Sequence, residues 1–325
     1  MNKKTKTILI ISFSLLFVGV CLGVYFLLTI PPKTYPKEPV KQTSLYTTSQ
    51  KIDFDNKDLE SADYPLLGVS NTVILENVEK FAIQLDPKMK NTSSVNGKFY
   101  KWENKDNYVI YELEQNTVLF SLSNGITWNE ADISGYTFKS FAKQYFGKDW
   151  EYSMSFNDKD YDNFTVYYAN RLFRNHLIHT NEYNGETDYL AFKDGKVMHG
   201  KILVTEFFDT EKTLPLLNWR SLHKYINLDN YPKEIYPNYS TLANSVLKEV
   251  NYLSDDFEKV ATSINNCAGD AVETVYLYKN FDQEYLTPVY KIDLQCQITY
   301  KETKYNIPAV GYVNAVDPKY IAIPE

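Results

Sequence analysis

Glycine, cysteine and net positive charge are all scarce in this 325-residue chain, and each shortage excludes something. Twelve glycines (Gly 12) leave little room for glycine-rich phosphate loops, and neither a P-loop nor a G-x-G-x-x-G pattern occurs. No G-x-S-x-G elbow, H-E-x-x-H pair or C-x-x-C is present, so hydrolase, metalloprotease and dithiol signatures are all missing. Acidic residues outnumber basic ones, 41 to 34, for a formal net charge of −7 and a pI near 5.3. Nucleic-acid phosphates demand a basic surface, so nucleic acid is excluded as a partner. Mild acidity of this kind serves solubility.

What the chain does have is aromatic and apolar. Tyr (28) and Phe (18) are plentiful. They read as a β-rich core fed by an AT-rich genome, with an aromatic glycan-binding surface as the alternative. At the N-terminus Lys3, Lys4 and Lys6 precede an uncharged apolar run, Thr7 to Ile30. As a helix this run is roughly 36 Å long, enough to span a bilayer with some tilt. A cleaved signal would show a shorter run and a small-x-small site. A lipidation signal would place a small residue before Cys21, where Val20 stands. The expectation is therefore a single-pass, uncleaved membrane anchor at 7–30, with residues 1–6 as a cytoplasmic head and the bulk of the chain extracytoplasmic.

Pro31, Pro32, Pro36 and Pro39 make a stiff exit, and 31–65 reads as a polar linker. Helical spacing then predicts helices over 71–85, 137–146 and 240–253, each followed by short β runs. Lys193-Asp194-Gly195-Lys196 predicts a hairpin turn. Thr165-Val166-Tyr167 with Leu177, and Thr274-Val275-Tyr276 with Leu286, repeat at one offset. The expected fold class is α+β: a transmembrane helix, then tandem modules of one helix packed on an antiparallel β-meander. The modules would be 66–130, 135–232 and 238–323.

The last module contains Val275-Tyr276-Leu277-Tyr278, Leu286-Thr287-Pro288-Val289-Tyr290 and Tyr312-Val313-Asn314-Ala315-Val316-Asp317. With Val166-Tyr167-Tyr168 and Asp194-Gly195-Lys196-Val197 in the preceding module, these phrases resemble the YycI and YycH family, over about 135–320. PepSY-like domains share a related plan. The resemblance implies a single-pass extracytoplasmic protein that regulates a cell-wall histidine kinase.

Candidate sites are few. His176 and His179 would share a face and a metal on a helix, but on a strand they point apart. Cys296 with His199 or His223 as base has no supporting local signature. The acidic loop Asn157–Asn163 alternates oxygens but lacks the glycine and distal Glu of a calcium loop, and reads as a solvated turn. No catalytic residue, metal site or cofactor is assigned. Outside the apolar run, Cys267 and Cys296 are the remaining pair; a disulfide between them is expected, with two buried thiols as the alternative. The functional expectation is a non-enzymatic binding or regulatory protein in the cell envelope, with a protein partner in or near the membrane. A structural or assembly subunit of an envelope complex is the alternative, and an envelope hydrolase a further one.

Overall fold

The computed structural model describes residues 34–41, 45, 50–70, 75–93, 98–128, 133–159, 164–180, 186–238, 264–280, 282–300 and 303–322. The chain divides into two compact units, Met1–Tyr35 and Pro36–Glu325. The apolar run 7–30 and the segment 240–253 lie outside the described residues.

Strands dominate. The linker segment holds β1 (Val40–Lys41) and β2 (Ile52–Phe54), and β3 (Asp63–Ser70) begins before its expected end. Ile52 and Phe54 are buried, so 31–65 is not wholly an unstructured stalk. Helix α1 (Leu75–Leu85) buries Val78, Phe81 and Ala82, spaced for one face, and ends where Pro87 removes the next amide. A meander follows: β4 (Lys90–Ser93), β5 (Phe99–Asn104), β6 (Asn107–Glu112) and β7 (Thr117–Thr127). Helix α2 (Gly135–Phe146) starts where Thr137 Oγ1 accepts from the Ser134 amide at 3.1 Å. It stops at Gly147, whose φ of 67° suits glycine, with paired bonds from Gly147 and Lys148 back to Lys143 and Ala142. Rings of the two helices meet each other and the sheet: Phe81 lies 4.8 Å from Phe146, and Phe141 stacks on Phe120 of β7 at 5.6 Å.

The chain then lays down β8 (Glu151–Lys159), β9 (Thr165–Phe173), β10 (His176–His179), β11 (Asp188–Lys193), β12 (Lys196–Leu203) and β13 (Glu206–Pro215). The expected turn between β11 and β12 forms, with Asp194 and Gly195 both at positive φ (52° and 72°), as a tight hairpin requires. Short helix α3 (Trp219–Tyr225) is capped by Asn218, whose Oδ1 accepts from the Ser221 amide at 2.9 Å. The remaining elements are β14 (Lys233–Pro237), β15 (Asn265–Gly269), β16 (Val272–Leu277), β17 (Tyr285–Leu286), β18 (Pro288–Tyr300), β19 (Thr303–Asn314), a 3-10 turn (Pro318–Tyr320) and β20 (Ile321–Ala322).

These strands do not form tandem modules. One mixed 15-stranded sheet runs β14-β19-β18-β16-β10-β9-β11-β12-β7-β6-β5-β4, with β15, β2 and β8 paired onto it. The β10–β16 pair, which joins the two ends of this path, is parallel, with Ile178 opposite Tyr276. The strand beginning at Thr165 pairs with β8, β10 and β11, all antiparallel. The strand carrying Thr274 sits between β18 and β10 instead. The two therefore hold different places, and the expected α+β helix-on-meander repeat is corrected to a mostly β fold. The physical reason is that β10 and β16 satisfy each other's edges, so a self-contained module would leave both exposed. A three-stranded sheet, β13-β3-β17, and the parallel pair β1-β20 complete the sheets among the described residues.

The membrane expectation also changes. The described helices have 11, 12 and 7 residues, against about 20 for a span. Among the described residues no helix is long and apolar enough to cross a membrane. The structure therefore gives no support to the single-pass, extracytoplasmic location or to a cell-envelope setting, and both are set aside.

Candidate functional site

An open pocket of about 520 Å³ lies between the loop after β2 and the start of α3. Lys57, Leu59, Glu60, Ser61, Asn218, Trp219 and Arg220 line it. Its walls are fixed by backbone. The Trp219 amide donates to Leu59 O at 3.0 Å, Leu216 N to Ala62 O at 2.7 Å, and Leu217 N to Ala315 O at 2.8 Å. Asn56 Nδ2 anchors the loop to Asp270 O at 2.9 Å. The Trp219 ring stacks on His223 one turn later, centroids 5.5 Å apart. Two cations and one carboxylate face this space. Among the described residues Lys57 has only a 4.0 Å contact with Asp55, both well exposed, an ion pair of little energetic weight.

Two polar centres lie inside the fold. In the first, Arg171 of β9 is buried, donating to Leu203 O at 2.9 Å and Thr205 O at 3.3 Å, with its guanidinium 3.9 Å from the Trp150 ring. Asp188 of β11 accepts from the Leu203 amide at 2.7 Å and the Thr187 hydroxyl at 2.6 Å. Burial raises its carboxyl to about 6, outweighing the opposing pull of Arg171 and these hydrogen bonds. Tyr152, buried nearby, is pushed well above its ordinary value by burial and by the charge of Asp188. In the second centre, His179 Nδ1 meets Tyr312 Oη at 3.1 Å, while Nε2 has no hydrogen-bond partner among the described residues. Burial, helped by the charge of Lys291, lowers this histidine to about 3. Both centres hold the β12–β13 and β10–β19 regions together and lie apart from the open pocket's lining.

The residues singled out from sequence fall as follows. Cys267 and Cys296 are bonded, Cα atoms 3.9 Å apart. They face each other directly across β15 and β18, in mid-strand rather than at a strand junction. Both are buried, and Cys296 is thereby committed to sulfur rather than to His199 or His223. His199 packs its ring on Phe164, and His223 on Trp219. His176 and His179 lie on a strand and go to different partners, Tyr64 Oη at 2.9 Å and Tyr312 Oη. Among the described residues no group of His, Cys, Asp or Glu is arranged to hold a metal. Asp160 to Asn163 of the acidic loop lie outside the described residues. No sequence pattern marks the pocket: Lys57–Ser61 fall in the stretch that reads as a polar linker, and α3 is too short to show a helical stripe. Asn218 at its cap, followed by Trp219 and Arg220, is the one local signal that could have marked it.

No family model matches the chain. No curated protein matches it either. Among solved structures the chain is similar to an uncharacterized protein from Eubacterium rectale ATCC 33656, with 11% identity and a TM-score of 0.44 over 84% of this chain and 91% of that one.

Proposed function

We propose that this chain is a non-enzymatic binding protein that holds a protein partner at the pocket beside α3. The observation that carries the reading is the pocket itself: an aromatic side chain, Trp219, and two exposed cations, Lys57 and Arg220, lining one space on a backbone-pinned frame. Its volume falls within the range of roughly 300–1,000 Å³ usual for ligand sites. Such a surface recognises without reacting. The groups whose proton affinity burial has moved furthest, Asp188, His179 and the buried tyrosines, sit in the interior and serve packing. A regulatory role for that binding is suggested by the YycI-like phrases of the last segment.

A photo-crosslinking residue at position 61 of the full chain, in the pocket lining, tests this in the native cell. One protein should be captured there and lost when Trp219→Ala is added. A control position at Lys105, on the β5–β6 turn, should not capture it. The same set of proteins from both positions would end the reading.

A further inference from the structure

The chemistry of the partner can be taken further, on the assumption that the pocket beside α3 is the binding site. Helix α3 carries no acidic residue in Trp219–Tyr225. Arg220, His223 and Lys224 are all exposed, and their i, i+3, i+4 spacing puts them on one face. That basic face continues into the pocket through Arg220 and on to Lys57 across it. Among the described residues Arg220 has no ion pair, and the sole partner of Lys57 is the 4.0 Å contact with Asp55. On α3 this reverses the sign of a chain of net charge −7, while the facing loop sets exposed Asp55, Asp58 and Glu60 around Lys57.

Two of the three first-turn amides at this point are already used. Trp219 N donates to Leu59 O and Ser221 N to Asn218 Oδ1. An anion here is therefore held mainly by side chains, and cations on two separate elements, Lys57 on the loop and Arg220 and Lys224 on α3, suit carboxylates spread along a flexible segment. The pocket has room for a few residues, and Trp219 and Leu59 give an apolar side chain a surface to lie on. A long polyanion such as nucleic acid would meet the negative field of the remaining surface.

We infer that the pocket and the basic face of α3 take an acidic peptide segment of the partner, its carboxylates held by Arg220, Lys57 and Lys224 and an apolar side chain laid against Trp219. Glu60, inside the pocket, opposes this binding and so sets its strength.

The test titrates the full chain with a blocked hexapeptide alternating Glu and Leu, followed by calorimetry and by amide shifts at 57–61 and 218–224. The Gln/Leu isostere and a single-stranded oligonucleotide of equal charge are run beside it. The Glu peptide should bind, move those amides, and weaken as salt rises. Arg220→Glu should weaken it by roughly tenfold, the size of a lost charge-assisted hydrogen bond. Glu60→Gln should tighten it a few-fold, as expected for one exposed charge pair. These are exposed side chains, so the variants keep the fold, and unchanged unfolding midpoints verify that. Equal binding of the Glu and Gln peptides would overturn the acidic assignment, and the capture experiment at position 61 would still judge the pocket separately. Tighter binding of the oligonucleotide than of the peptide would also overturn it.

Discussion

The two ends of the sheet are held together in different ways. Around α1 and α2 the core is apolar and aromatic: Phe81, Phe120, Phe138, Phe141 and Phe146 pack between two helices and the sheet. Around β18 and β19 the buried residues carry polar tips. Tyr290 donates its hydroxyl to Leu217 O at 2.6 Å, and Tyr231 to Asn314 O at 2.7 Å. Asn314 Nδ2 reaches Val316 O at 2.7 Å, and Lys233 Nζ reaches Ile226 O at 2.6 Å. The disulfide lies in this end too. A helix satisfies its own backbone and offers a ready apolar stripe. Connecting chain such as 216–218 and 226–232 has carbonyls with no regular partner, and burying them requires one to be supplied. The difference teaches that the cover, more than the sheet, decides whether a core is greasy or hydrogen-bonded.

The strongest way to separate the two ends is by pH, because each holds a buried ionisable group shifted in the opposite sense. His179 falls from 6.5 to about 3 in the fold, so the unfolded chain holds a proton that the native chain lacks. Its contribution is full above pH 6.5 and is lost as pH falls toward 3, roughly 5 kcal/mol in all at about 1.4 kcal/mol per unit. Asp188 rises from 3.8 to about 6, so the native chain keeps a proton that the unfolded chain has lost. Its contribution is full below pH 3.8 and is lost as pH rises through 6, roughly 3 kcal/mol. Between pH 4 and 6 the two slopes oppose each other. Denaturant unfolding across that window should show stability rising steeply with pH in Asp188→Asn and falling with pH in His179→Gln. Identical slopes in both variants would break the assignment.

Truncation gives the next largest effects. Phe141 contacts Phe81, Phe120, Trp128 and Tyr145, and is fully buried. Phe141→Ala should cost roughly 3–5 kcal/mol in unfolding free energy, from lost burial and the cavity left behind. At the other end, Cys267→Ala with Cys296→Ala opens a 29-residue separation. The chain-entropy estimate for that loop is roughly 3–4 kcal/mol. Reductant should reproduce most of this loss in the native chain and do nothing to the double variant. Insensitivity of the native chain to reductant would remove the cystine from the comparison.

The two ends were also unequally legible. Around α1 and α2 the periodicities stand in the sequence: the 3.6-residue stripes of Phe81 and Phe141, and the Asp194-Gly195 turn, each found within a few residues of its place. Local propensity and tertiary need agree there. β3 was hidden because Pro65 and Gly68 interrupt it, although pairing with β13 on one side and β17 on the other makes it a central strand. β18 reads as two short runs split at Cys296, yet it continues as one strand of 13 residues because β19 pairs along its length. The join of β10 to β16 and the pocket beside α3 depend on residues far apart in the chain, and no local pattern encodes either. The Cys pair was legible by elimination, but its place opposite in mid-strand was not. The phrases that resemble the YycI family proved to hold buried residues: Leu286, Tyr290 and Asn314 pack or bond internally. These members of the phrases belong to the core, and the pocket's lining residues lie outside the phrases.

The smallest effect tests the comparison most directly, because it removes one oxygen from each end. Tyr290 and Tyr111 are both fully buried. Tyr290 Oη donates to a main-chain carbonyl, Leu217 O, in the chain just before α3. Tyr111 Oη donates to Asn116 Oδ1 at 2.6 Å, and Asn116 Nδ2 goes on to Thr205 Oγ1 at 2.9 Å. A side-chain amide can turn to find another donor; a carbonyl fixed between the Pro215 and Trp219 backbone cannot. Tyr290→Phe should therefore cost the desolvation of an unmet buried acceptor, roughly 1–3 kcal/mol, whereas Tyr111→Phe should cost nearer the net worth of one hydrogen bond, about 1 kcal/mol. Amide exchange adds a local readout. The Ala315 carbonyl receives the Leu217 amide at 2.8 Å, so loosening Leu217 should speed exchange there and at Trp219. Equal losses in the two variants, with no change in exchange at Leu217, would mean that the hydroxyls of the β18–β19 end do not pin its connecting chain.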